Sequence, residues 1–126
     1  MTTTTNPSTS TQDLVPGYAI AHLRTPQLND EVLDYIERIQ ATLDPFGGRF
    51  LIHGAEVEVR EGDWPGTIVV IAFPSVDAAR AWYDSDEYQA ILPLRTRNID
   101  GAAIIVPGVA AGYDPAGLVA AARAGA

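Results

Sequence analysis

The sequence predicts an α+β fold in the order β-α-β-β-α-β, with a four-stranded antiparallel sheet and two helices on one of its faces. Three observations predict it. Four short stretches, YAIAHL, FGGRFLIH, TIVVIAF and AAIIVPG, have the apolar character of strands. Two longer stretches between them repeat apolar residues at helical spacing. The chain has 126 residues, enough for one domain with a modest core.

The elements follow in order. Met1 to Leu14 is a polar Thr/Ser-rich stretch, so residues 1–15 read as a disordered tail, and Pro16-Gly17 marks entry into structure. In the first strand Tyr18, Ile20 and His22 share one face, and Ala19, Ala21 and Leu23 the other. The first helix is capped at Thr25-Pro26 or at Asn29, with Asp30 and Glu31 near its positive end. Val32, Ile36, Ile39 and Leu43 form its apolar stripe, and Pro45 with Gly47-Gly48 end it.

The second strand opens at FGGRFLIHG and turns at EGDWPG. Phe50 and Ile52 have one parity, Val57 and Val59 the other, so a single core face requires a bulge, placed at Gly54-Ala55. With that bulge Arg49 and His53 share a face with Glu56 and Glu58. Thr67–Phe73 is almost wholly apolar, as a strand covered on both sides would be. Ser75 caps a second helix, Ser85 restarts it, and Pro93 should kink or reset it. A last strand follows at Ala102–Gly108, so the folded domain spans residues 16–108. Residues 109–126 form an extension in which Asp114-Pro115 starts a short alanine-rich helix. Both parities of the third strand are apolar, so the sheet face opposite the helices needs a cover. A second copy of the chain supplies one, and a homodimer is expected.

Composition excludes several functions. There is no cysteine and no lysine, which removes disulfides, thiolate nucleophiles, Schiff-base chemistry and the P-loop lysine. Sixteen acids against eight arginines give a net charge of −8, so phosphate backbones and anionic membrane surfaces are repelled. No apolar run approaches the roughly 18 residues of a membrane span. The first dozen residues lack the basic start and apolar stretch of a secretory signal, and a cytoplasmic location is expected. The two histidines have no metal-ligand spacing, so neither a metal nor a cofactor is expected.

The pieces FGGRFLIHG, EGDWP and IAFPSVDAARAWYDSDEYQAILPLR, with the closing strand, resemble the domain of unknown function 1330 family over roughly residues 17–108. The resemblance implies a ferredoxin-like domain that dimerises sheet to sheet into an α+β barrel. It also implies kinship with small cofactor-free enzymes, among them antibiotic-biosynthesis monooxygenases and polyketide cyclases. The family usually carries arginine before the glycine where this chain has His53, so a fixed cation gives way to a group that titrates.

The candidate catalytic residues are His53, Arg49, Glu56 and His22. His53 or His22 can move a proton near neutral pH, Glu56 can orient His53, and Arg49 can hold an oxyanion through its paired donors. Tyr18, Trp82, Tyr83, Tyr88 and Arg95 are candidates to line a substrate pocket. Each also has a structural reading: a salt bridge for Arg49, a strand-end or interface role for the histidines, core packing for the aromatics, an ion pair for Arg95. The expected function is a cofactor-independent enzyme for a small carbonyl or aromatic substrate, by proton transfer, cyclisation or oxygenation. Its alternative is a non-catalytic dimer that binds a small molecule or a protein.

Overall fold

A computed structural model describes residues 15–125. Strands β1 (Gly17–Leu23), β2 (Arg49–Ile52), β3 (Thr67–Phe73) and β4 (Gly101–Pro107) form one antiparallel sheet in the order β2-β3-β1-β4. Helices α1 (Asp30–Leu43), α2 (Val76–Asp84) and α3 (Asp86–Thr96) cover one face, and α4 (Ala116–Ala124) follows β4. The expected tail at residues 1–15 lies, apart from Val15, outside the described residues.

Local chemistry places the helices. Asn29 is the cap of α1, its side chain accepting the Val32 N–H at 3.0 Å. The helix ends at Leu43, and a 3₁₀ turn over Asp44–Phe46 leads to β2. Ser75 caps α2 through the Ala78 N–H at 3.1 Å. Ser85 separates α2 from α3, its hydroxyl donating to the Trp82 carbonyl at 2.7 Å and accepting from the Tyr88 N–H at 3.2 Å. Pro93 lies inside α3, which continues to Thr96 instead of resetting there. Asp114 accepts the Ala116 N–H at 2.9 Å, while Pro115 is the cap residue of α4 and not its first turn.

The second strand differs most from expectation. It stops at Ile52, and its irregularity lies between Phe50 and Ile52, not at Gly54-Ala55. Val57 and Val59 alternate like strand residues but belong to no strand. The physical reason is a missing partner. By the antiparallel register Val57 and Val59 would face residues ahead of Thr67, where β3 has not begun. As an edge strand, β2 has no neighbour on its other side.

Register sorts the side chains into two layers. Ala19 lies opposite Ile71 and Ile105, and Ala21 opposite Val69 and Ala103, all towards the helices. The core there combines Ile71 and Phe73 with Tyr35, Ile39 and Leu43 of α1, Trp82 of α2, and Tyr88 and Ile91 of α3. Tyr18, Ile20, His22, Val70 and Val106 face the other way, away from α1, α2 and α3. On that open side Ile104 is 57% exposed, and Ile52 and Val106 are also accessible.

Glu31 ties the start of α1 to the end of α3. It accepts from Arg97 at 2.6 Å and from the Asn98 amide at 2.9 Å. Those hydrogen bonds hold its carboxyl below the ordinary carboxylate range. A lowered folded-state pKa means the tie stabilises at neutral pH and is lost as pH falls through that lowered value. The linkage predicts that Glu31→Gln flattens the acid limb of a stability-versus-pH curve. An unchanged acid limb in urea melts would contradict it.

Candidate functional site

Small residues create the site. Ala19, Ala21 and Ala103 occupy helix-facing positions where larger residues would fill the sheet–helix layer. A cavity of about 300 Å³ remains. It is walled by Val69, Ile71 and Ile105 from the sheet, Tyr35 and Ile39 from α1, Trp82 and Tyr83 from α2, and Tyr88 and Arg95 from α3. Ala103, exposed at the β4 edge, lies at its rim.

The aromatic wall is held rigidly. The Trp82 ring packs against Tyr88 with centroids 4.1 Å apart, against Phe73 at 5.4 Å and against Tyr83 at 6.1 Å. Its indole N–H donates to the buried Thr42 hydroxyl at 2.9 Å. That hydroxyl donates onward to the Ile39 carbonyl at 2.7 Å. Both polar groups are thus satisfied inside the core.

At one side of the cavity the polar groups converge. The hydroxyls of Tyr35 and Tyr88 meet at 2.7 Å, and the Arg95 Nε–H donates to the Tyr35 hydroxyl at 3.4 Å. The guanidinium also lies over the Tyr35 ring, 5.7 Å from its centroid. Burial pushes the Tyr88 phenol well above the ordinary tyrosine range, so it stays protonated and able to donate. Burial opposes the charge on Arg95, but the facing oxygens of Tyr35 and Tyr88 outweigh that and its pKa is raised. Arg95 remains a cation in the wall of a largely apolar space.

The nine residues singled out in the sequence do not all come together. Trp82, Tyr83, Tyr88 and Arg95 line the cavity together. Tyr18, Arg49 and His22 belong by register to the open face of the sheet. His22 Nε2 lies 2.6 Å from the Pro65 carbonyl, and its ring stacks on Trp64 at 4.2 Å. His53 is exposed, its ring stacked on Phe50 at 4.5 Å. Glu56 is exposed on the segment beyond β2, where Glu58 pairs with Arg60. The strand that was to carry Arg49, His53 and Glu56 on one face has ended before His53, so no sheet geometry joins them. Tyr35 and Thr42 escaped the sequence reading. Tyr35 sits three residues after Val32 and four before Ile39, so the helical stripe itself marked it.

Among the described residues no three His, Cys, Asp or Glu side chains cluster as metal ligands, and no helix is long and apolar enough to cross a membrane.

A family model described as Domain of unknown function (DUF1330) matches residues 16–109. Solved structures share the fold at low sequence identity. A protein of unknown function from Rhodopseudomonas palustris is 15% identical, with 74% of this chain and 82% of that one covered and a TM-score of 0.57. A dimeric ferredoxin-like protein of unknown function from Thermobifida fusca is 21% identical, with 73% and 90% covered and a TM-score of 0.50. No curated protein matches the chain.

Proposed function

The chain belongs to the family described as Domain of unknown function (DUF1330), a description that assigns no reaction, and from its cavity we propose that it is a small-molecule-binding protein. The ligand is a small, largely apolar or aromatic compound held between the sheet and the helices. The observation that carries this reading is the unfilled space itself. Three alanines in register leave a half-open cleft ringed by aromatic side chains, the form that small-molecule sites take. Ala21→Leu puts a branched side chain into that space. Isothermal titration with 2-naphthol should show binding to the native chain and at least about tenfold weaker binding to the variant. Equal affinity in both would remove the cavity from the reading.

The reading includes a homodimer built on the open sheet face. Soluble monomers seldom leave a contiguous apolar surface such as that of Ile20, Ile52, Val70, Ile104 and Val106 uncovered. The Thermobifida protein, described as dimeric, supports it. Ile104→Glu buries a charge at such an interface and should convert a dimer into a monomer in light scattering. A native chain that runs as a monomer at high concentration would refute this part.

The paired phenols favour a second, catalytic reading. Two hydroxyls at 2.7 Å beside a guanidinium can stabilise negative charge that develops on a substrate oxygen. The protein would then act without a cofactor on a small carbonyl compound, with His53 or His22 moving the proton and Arg49 assisting. Those three side chains lie outside the cavity lining, whose described residues include no carboxylate or imidazole. Binding is therefore the better-supported form. Full turnover of an identified substrate by both His53→Ala and His22→Ala would eliminate the catalytic form as written.

A further inference from the structure

We propose that the ligand is a monoanion, an aromatic or branched carboxylate whose carboxylate sits on Arg95 beside the paired hydroxyls of Tyr35 and Tyr88. The inference rests on the cavity reading above and adds the chemical class of what the cavity takes. It starts from an imbalance. Arg95 is only 8% exposed, and among the described residues no carboxylate pairs with it. Two acids of α1 are engaged elsewhere, Glu31 with Arg97 and Asp34 with Arg38.

The groups that face Arg95 keep it charged, but they are hydroxyl dipoles and none of them is an anion. The contact to Tyr35 is long at 3.4 Å, and phenols are neutral. A position in the last turn of α3 places the guanidinium near the negative end of that helix, which offsets a further part. A carboxylate in the cavity completes the balance. It accepts from the planar fork of the guanidinium, and a phenol kept protonated can donate to the same oxygens.

The rest of the lining sets the ligand's shape. Arg95 is the one charged side chain among the lining residues, so one negative charge is matched and a second is not. Four aromatic side chains, Tyr35, Trp82, Tyr83 and Tyr88, offer faces and edges to a planar ring. The volume of about 300 Å³ is at the small end for ligand sites and suits one or two fused rings.

The test compares 2-naphthoate with 2-naphthamide, which has the same shape and no charge, by isothermal titration on the full chain. The native protein should bind the carboxylate about ten- to a hundredfold more tightly, the usual worth of hydrogen bonds to a charged group. Arg95→Met should abolish that preference and leave the amide's affinity within a few-fold. Tyr88→Phe, which keeps the ring, should reduce carboxylate affinity several-fold and serves if the arginine variant folds poorly. An amide that binds the native chain as tightly as the carboxylate overturns the inference and leaves the cavity reading standing. If neither compound binds, the cavity reading fails and takes the inference with it.

Discussion

Trp82→Ala is expected to cost about 3–5 kcal/mol of folding stability, a large share of what a domain of this size possesses. Trp82 is 2% exposed and lies at the junction of three aromatic neighbours, Phe73, Tyr83 and Tyr88. Its removal enlarges a cavity that already exists, so the surroundings have little with which to refill the space. It also takes from the Thr42 hydroxyl the donor that it accepts at 2.9 Å. Trp82→Phe keeps a ring in place and should cost roughly half as much, from a smaller void and one hydrogen bond. Urea melts of the two variants measure the difference. A loss below about 1 kcal/mol for the alanine variant would mean that the α2–sheet contact is not the core that it resembles.

Gly66→Ala should be comparably damaging for a different reason. Gly66 has φ +100°, and an added Cβ would lie 1.8 Å from the Leu23 carbonyl oxygen and 2.7 Å from the Arg24 Cα. Leu23 pairs with Thr67, the first residue of β3, so the clash falls where the two central strands begin to pair. Relief requires β3 to move away from β1 at that end, and a loss of about 3 kcal/mol or more is expected. Gly62→Ala separates the two causes. It has φ +69° but open space around an added Cβ, so only the backbone penalty of about 1 kcal/mol applies. Equal losses for the two variants would show that backbone conformation and not strand proximity governs Gly66.

The element order was legible because each element announces itself locally. Ser75 and Ser85 each cap the helix that follows, and the alternation of YAIAHL assigns its two faces correctly. Where the second strand ends was not legible. Val57 and Val59 keep the strand alternation, but a strand also needs a partner, and pairing is set by distant chain. The sequence therefore favoured the polar side chains of Arg49, His53 and Glu56, whereas the convergence of polar groups lies elsewhere. Tyr35 and Arg95 are sixty residues apart and meet only through the packing of α1 on α3. The alanines were visible as small residues. That Ala21 lies opposite Ala103, and Ala19 between Ile71 and Ile105, follows from register, which no local pattern states. Trp82, Tyr83 and Tyr88 line the cavity because aromatic side chains on the helix faces towards the sheet have nowhere else to go.

The proposed ligand site lies between the sheet and the helices, not at the polar stretch around Arg49 and His53. A methyl-resolved NMR titration with 2-naphthol tests it most directly, since the two locations are marked by different methyl groups. Shifts concentrated at Ala19, Ala21, Ile39, Ile71 and Ile105 are the expected result. Shifts concentrated at Leu51, Ile52 and Val57, with the cavity methyls unmoved, would contradict it.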